Sequence, residues 1–327
     1  MKLSIIIPVY NGNKFIDNAY QYVLDQKVTD FELIFIDNNS GDNSLQLLKK
    51  IQMQDERVIL LKESIQGAAA ARNKGLKYAT GSYVYFFDVD DELFPNALNT
   101  LIEVLEKNAE IDSVFGNIVK SRKHIEDVTI PNETLKVTIH PEKYWGIRWL
   151  DYSTLPGTPS FVHRKRVFEK IGNFNTSLLL GEDAAFMVKL GMECTVAHID
   201  KFVMLYHRHE ESTVSKQNKV QKEKVFTYWE PLIHEHIPYY NTTKTPHEFK
   251  KKILFKTYGS LAKMIALTKG YKARITLKNK LLLEIRPIEI PPLHKPFISL
   301  ITVSGSLNLY KLYLFYVVRP YLKYCLK

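Results

Sequence analysis

Cysteine is nearly absent from this chain: Cys194 and Cys325 are the two in 327 residues. Thiols so far apart make neither a metal-binding pattern nor a disulfide framework, which fits a reducing cytoplasm. A clean membrane span is also lacking. The best candidate, residues 297–318, carries one charge, Lys311, but Ser299, Thr302, Ser304, Gly305, Ser306 and Asn308 leave it too polar. The N-terminus, Met1-Lys2-Leu3-Ser4-Ile5-Ile6-Ile7-Pro8, has too short an apolar run for a signal peptide, and no small-residue cleavage site follows. There is no glycine-rich phosphate loop of the nucleotide-hydrolase type, no Ser-His-Asp order, no internal repeat and no low-complexity stretch. What remains is an ordinary globular composition, 45% hydrophobic, with length for one large α/β domain and an appendage.

Aspartate is missing altogether from Ser215 onward. That stretch holds 21 Lys and Arg against 6 Glu, a net of +15, whereas the first 214 residues hold 24 basic and 29 acidic side chains, a net of −5. The overall +10 therefore resides in the last third. A basic third suits nucleic acid, an anionic membrane or an acidic substrate. It shows no recognisable nucleic-acid motif, so nucleic acid is not the expected partner.

Apolar runs at Leu3–Val9, Phe31–Ile36, Val58–Leu61 and Tyr83–Phe87 alternate with helical patterns near 14–26, 42–54 and 68–79. That alternation predicts βαβ units in a mostly parallel sheet. The runs end in turn-forming clusters: Tyr10-Asn11-Gly12, Asp37-Asn38-Asn39-Ser40 and Asp88-Val89-Asp90-Asp91. These are expected along one sheet edge, where open α/β sheets bind ligands. A helix is expected from near Pro95, strands at Ser113–Val119 and Thr195–Leu205, and short helices at Lys165–Ile171 and Asp183–Leu190. The boundary is placed at 214/215, with a mainly helical basic region over 215–327.

Three carboxylates at the end of a buried strand repel one another unless a cation or a rigid network holds them. Mg²⁺ and Mn²⁺ take one or two protein carboxylates plus substrate phosphates, so a metal and a phosphorylated ligand are one reading. A solvated acidic turn is the other.

The segments Ser4–Asn11, Ile36–Asp42, Gly67–Gly75, Phe87–Asp91, Ile171-Gly172-Asn173-Phe174-Asn175, Glu182-Asp183 and Tyr206-His207-Arg208-His209 with Ser212 occur in order. On these seven motifs, over roughly residues 3–215, the chain resembles the family-2 glycosyltransferases of the GT-A fold. The resemblance implies a Rossmann-like α/β domain that moves a sugar, with inversion, from a nucleotide-sugar to an acceptor hydroxyl. Pro8, Tyr10 and Asn11 would then lie at the donor's base and ribose. Asp37 and Asn38 follow. Many relatives carry Asp at the second of these positions to accept a ring N–H of the base, and an amide oxygen can still accept it. UDP is the first expectation, with dTDP and GDP open.

Arg72 is expected on the pyrophosphate or the aspartates. Asp88 is assigned to the ribose or a metal-bound water, Asp90 to direct coordination of Mn²⁺ or Mg²⁺, and Asp91 to the outer shell or helix entry. By family match Asp183 is the general base, with Glu182 holding the acceptor or the base. His209 would be a third metal ligand or a diphosphate contact. His207 stands where relatives often have Arg. Trp145, Trp149 and Tyr152 suit either sugar stacking or the core.

Near the C-terminus, Lys311, Arg319, Lys323 and Lys327 recur at spacings of four beside a stripe of Leu307, Tyr310, Leu314 and Val317. Such a segment suits an anionic membrane surface, packing on the catalytic domain, or pairing of two protomers. The expected function is a metal-dependent transferase at the inner face of a bacterial membrane, acting on a glycan or lipid-linked glycan during surface polysaccharide synthesis. A non-catalytic nucleotide-sugar-binding scaffold is the alternative.

Overall fold

The computed structural model describes residues 2–151, 154–178, 180–208, 224–240, 242 and 244–325. The chain forms two compact units, Met1–Ser215 and Lys216–Lys327.

In the first unit, nine strands among the described residues form one mixed sheet. They are β1 (Leu3–Val9), β2 (Phe31–Asp37), β3 (Val58–Lys62), β4 (Tyr83–Phe86), β5 (Glu92–Leu93), β6 (Ser113–Ser121), β7 (Val137–His140), β8 (Phe161–Arg164) and β9 (Val196–His207). Their order is β3-β2-β1-β4-β8-β6-β9-β5, with β7 also on β9. The pairings of β1 with β2 and β4, and of β2 with β3, are parallel, as the alternation of runs and helices requires. The sheet as a whole is mixed, with β6 and β9 also paired in parallel. β8 runs antiparallel between β4 and β6, and β5 and β7 run antiparallel to β9. Strands of two to four residues carry too little period-2 pattern to be seen in a sequence.

The helices follow the apolar periodicity. They are α1 (Ile16–Leu24), α2 (Ser44–Gln54), α3 (Ala68–Tyr78), α4 (Ala97–Lys107), α5 (Tyr144–Trp149), α6 (Arg166–Ile171) and α7 (Glu182–Glu193). One face of the sheet, with Ile5, Ile7, Phe35 and Tyr85, shares a core with Ile16, Val23, Leu98 and Leu101 of α1 and α4. The opposite face receives α3 at Gly75, where a Cβ would sit 2.4 Å from the Ile6 side chain. Only glycine lets helix and strand approach that closely. A second close crossing sets α7: a Cβ on Gly191 would lie 2.3 Å from the Gly146 amide nitrogen of α5.

A buried carboxylate pins the far end of this sheet. Glu32 accepts hydrogen bonds from Ser4 Oγ (2.6 Å) and the Thr80 amide (2.6 Å) and pairs with Lys2 Nζ at 2.9 Å. Burial alone would raise its pKa, but Lys2, Ser4 and Thr80 bring it from 4.5 down to about 2. A carboxyl depressed on folding stabilises fully above its unfolded pKa and loses that contribution as pH falls. Glu32→Gln is therefore expected to cost about 3 kcal/mol at pH 7. That cost should shrink as pH drops from about 4.5 to about 2. Urea unfolding at a series of pH values checks it, and a pH-independent difference contradicts it.

Trp149 is fully buried, and Trp145 stacks on it at 5.2 Å with its indole N–H on the Val196 carbonyl. Both belong to an aromatic cluster with Phe115, so core packing rather than sugar stacking claims Trp149. Tyr152 lies outside the described residues.

The second unit is helical, chiefly His247–Leu267, Tyr271–Glu284, Lys295–Ser304 and Leu307–Tyr313. No helix among the described residues is long and apolar enough to cross a membrane. The buried stripe of the last segment is Tyr313, Val317, Val318 and Leu322; of the expected Leu307, Tyr310, Leu314 and Val317, Val317 alone is buried. Wide turns over Leu314–Val318 and Tyr321–Cys325 rotate the pattern away from a regular 3.6-residue repeat. Phe315, Tyr316 and Tyr324 are thereby exposed among Lys311, Arg319 and Lys323, with Arg319 over the Phe315 ring at 4.3 Å. Lys327 lies outside the described residues.

Candidate active site

The three turn clusters meet at one edge of the sheet. Val9 pairs with Asp37 across β1 and β2, and the Asn38 amide donates to the Val9 carbonyl at 2.8 Å. The loop after β1 and the loop after β2 are then knitted together. Asn11 N donates to Ser40 Oγ (3.1 Å), Gly41 N to Asn11 Oδ1 (2.8 Å), Gly12 N to Ser44 Oγ (3.0 Å) and Asn13 N to Asp42 Oδ2 (3.2 Å). Asn11 adopts a left-handed φ of 50°, which asparagine tolerates. The third cluster touches the first: a Cβ on Gly12 would lie 3.2 Å from Val89. Pro8 lies within β1, and Tyr10 is 56% exposed beside it.

Asp37 is buried and accepts from the Ser40 amide at 3.3 Å. Asn38 is buried and committed to backbone. Its Nδ2 donates to the Glu63 and Ile65 carbonyls at 2.9 and 2.7 Å, and its Oδ1 accepts from the Gly67 amide at 2.8 Å. These bonds clip the loop 63–67, which leads into α3, to the end of β2.

Arg72, in the second turn of α3, is the hub of the site. Its guanidinium reaches Asp88 Oδ1 at 2.7 Å and Glu182 Oε1 at 3.3 Å, with a side chain 6% exposed. The Phe174 ring lies 5.4 Å from its guanidinium carbon. Phe174 is held by Asn73, whose side chain donates to the Phe174 carbonyl (2.8 Å) and accepts from its amide (3.0 Å). The Gly-Asn-Phe motif is thus docked onto α3, next to the residue it supports. Burial would lower the Arg72 pKa, but Asp88 and Glu182 push it up and keep the group charged.

Asp91 is buried. Its Oδ1 accepts from the His207 amide at 3.1 Å, while its Oδ2 has no hydrogen-bond partner among the described residues. Burial, then the charges of Asp88 and Asp90, raise its pKa well above the usual carboxylate range. Asp88 and Asp90 are half-buried beside it. Glu182 and Asp183 open α7, where the helix dipole favours carboxylates. Burial and the neighbouring Asp183 raise Glu182 to about 7 against the pull of Arg72. Burial likewise raises Asp183, which Arg72 and the Ala184 amide partly offset.

Of the residues singled out from sequence, Arg72, Asp88, Asp90, Asp91, Glu182 and Asp183 form one electrostatically linked group, and Pro8 to Asn11 with Asp37 flank it. His209 lies outside the described residues. Two contributors had gone unassigned. Tyr206 on β9 feels the field of Asp91, Asp90, Asp88 and Asp183, which adds to burial in pushing its phenol up to about 12. Asn73 orients Phe174. Both sit inside quoted motifs, yet only their neighbours across the sheet reveal their parts.

Comparison with known proteins agrees with this geometry. The glycosyl transferase family 2 profile matches residues 4–172, just over half of the chain. A GalNAc(5)-diNAcBac-PP-undecaprenol beta-1,3-glucosyltransferase of Campylobacter jejuni is 36% identical over 36% of this chain and 38% of its own length. The UDP-Glc:alpha-D-GlcNAc-diphosphoundecaprenol beta-1,3-glucosyltransferase WfgD of Escherichia coli is 39% identical over 35% of this chain and 45% of its own. The chain thus spans less than half the length of either relative. Across the whole fold, S. aureus TarS 1-349 in complex with UDP-GlcNAc superposes with a TM-score of 0.68. It covers 99% of this chain and 92% of that one at 16% identity. With its strand-end aspartates, buried arginine and helix-opening carboxylates, this chain belongs to glycosyl transferase family 2.

Proposed function

We propose that the chain is an inverting, metal-dependent glycosyltransferase that moves one sugar from a nucleoside-diphosphate sugar to a hydroxyl of a glycan or lipid-linked glycan. One observation carries the reading: a single buried guanidinium joins Asp88 at the strand end to Glu182 at the start of α7. The acidic cluster suited to a diphosphate site and the carboxylate pair suited to proton transfer are held on either side of Arg72.

The crowded aspartates fit a divalent ion, because the buried Asp91 Oδ2 lacks a hydrogen-bond donor and Asp88 and Asp90 offer further hard oxygens. Asp90 and Asp88 would hold Mn²⁺ or Mg²⁺, with His209 as a third ligand, and the ion would offset charge on the leaving diphosphate. Asp183 takes the proton of the acceptor hydroxyl as its oxygen bonds to the anomeric carbon. The bond from that carbon to the diphosphate oxygen breaks with its electron pair, so the configuration inverts. Glu182 orients the acceptor, and Arg72 keeps positive charge beside the departing group. Pro8, Tyr10, Asn11 and Asp37 frame the base and ribose, with Asn38 shaping that pocket through the loop it clips. UDP is the favoured nucleotide, supported by the named donor of WfgD and the ligand bound by TarS.

The named relatives act on undecaprenol-diphosphate-linked glycans. A lipid-linked acceptor would place residues 1–214, as the transferase domain, at the cytoplasmic face of a membrane. The basic, aromatic face of residues 215–327 would attach there, or pair two copies. Wild type is expected to float with phosphatidylglycerol vesicles at low salt, and Phe315→Ser/Tyr316→Ser to float far less. Equal flotation rules out this attachment face.

The test of the activity is hydrolysis and transfer with UDP-, dTDP- and GDP-sugars in Mn²⁺ or Mg²⁺, alongside Asp90→Ala. Turnover of one donor that needs the ion and disappears in Asp90→Ala is expected. Donor binding without turnover under any acceptor supports the scaffold alternative, and absence of donor binding overturns both.

A further inference from the structure

Beside the aspartates, and separate from them, three side chains from different parts of the chain converge. Glu92 lies in β5, directly after the acidic cluster; His124 lies in the turn after β6; His207 ends β9. One ligand atom from each falls within 4.8 Å of the others. Glu92 Oε1 is 2.6 Å from His124 Nδ1 and 3.3 Å from His207 Nδ1. The two imidazole rings stand 5.1 Å apart at 42°. We propose that Glu92, His124 and His207 form a binding site for a divalent transition metal of zinc type, distinct from the aspartate site for Mn²⁺ or Mg²⁺.

The donor set separates the two sites chemically. Two imidazoles and one carboxylate suit Zn²⁺ and its borderline neighbours, whereas Mg²⁺ prefers oxygen alone. On a tetrahedral zinc with bonds of about 2.0–2.1 Å, ligand atoms lie about 3.3 Å apart. The Glu92–His207 separation already matches. The Glu92–His124 separation, 2.6 Å, needs to open by about 0.7 Å to reach that spacing, and His124, with 65% of its side chain exposed, has room to move.

The surroundings are those of an oriented site. Glu92 Oε2 is occupied by the Ile125 amide at 2.8 Å, which turns Oε1 toward the two rings. Tyr22 hydrogen-bonds the same carboxylate. The His207 backbone is fixed by Asp91 Oδ1. Such outer partners set the direction of first ligands. Glu92 and His207 are largely buried, with side chains 6% and 17% exposed, and the open side is that of His124. A bound ion would tie β5, the turn after β6 and the end of β9 together. It would thereby steady Asp91, which is bonded to one ligand residue and adjacent in sequence to another.

The site is tested on the full chain by equilibrium dialysis against Zn²⁺ with metal analysis, and by thermal unfolding with and without the ion. Wild type and Asp90→Asn are expected to retain one zinc each, with the unfolding midpoint rising in both. His124→Gln and Glu92→Gln should bind at least tenfold more weakly and show no rise. His124 is exposed, so its variant folds whatever the role of the other two. Equal zinc retention by wild type and His124→Gln overturns the proposal and leaves a hydrogen-bonded trio. Loss of zinc in Asp90→Asn with retention in His124→Gln overturns it by assigning the ion to the aspartates. Sugar transfer is not the readout, so failure of the transferase reading leaves the result interpretable.

Discussion

Asp183→Asn is expected to lower kcat by about 10²–10⁴-fold, the usual contribution of a positioned general base, while donor affinity stays unchanged. The amide keeps the shape of the side chain at the opening of α7 but cannot accept the acceptor's proton. The pH profile sharpens the expectation. Burial raises the Asp183 carboxyl above its usual range, and Arg72 opposes the rise. The acidic limb of kcat should therefore lie above that of an exposed aspartate, and any variant that removes the Arg72 charge should move it to higher pH. Transfer assays across pH, with donor Kd from calorimetry, check both parts. A larger loss in Glu182→Gln than in Asp183→Asn would reverse the two roles.

Arg72→Met carries the second large effect. Removing one member of a buried ion-pair network leaves uncompensated charge, at a cost of about 3–5 kcal/mol. Here the cost should depend on pH, because Glu182 can neutralise itself by taking a proton. Its folded pKa, near 7, already lies above the ordinary 4.5, with burial first and Asp183 second among the causes. A carboxyl raised on folding binds more protons in the folded state than in the unfolded one. Its contribution therefore declines as pH rises from about 4.5 to about 7. Without Arg72 that decline should steepen and extend to higher pH, so the variant is expected to be least stable in alkali and closest to wild type near pH 5. Chemical denaturation at pH 5 and pH 8.5 measures it. The same loss at both values would mean that Glu182 does not respond to the guanidinium.

The parallel half of the sheet was legible because β1, β2 and β4 are buried on both faces and read as continuous apolar runs. The helices between them were legible because each buries one stripe. β5 and β8 were not, since two and four residues hold no periodic pattern. The same contrast holds at the site. Asp88 and Asp90 stood out as charged residues at the end of an apolar run, whereas Arg72, Glu182 and Asp183 stood out by their place in the family motifs. Asn38 stood out equally, but nothing local announces that three backbone groups of residues 63–67 will also engage its amide.

Composition and periodicity act along the chain, and from them follow the α/β class, the strand-end carboxylates and the basic final third; the resemblance to glycosyl transferase family 2 rests on the seven ordered motifs. Pairing across the chain follows other rules. Arg72 meets Glu182 over 110 positions, and Glu92 meets His124 over 32. Such encounters depend on which strands become neighbours and how closely Gly75, Gly146 and Gly191 let the helices approach. Hydrogen bonds and ion pairs act over a few ångströms, so their partners are chosen only after long-range packing has set those distances.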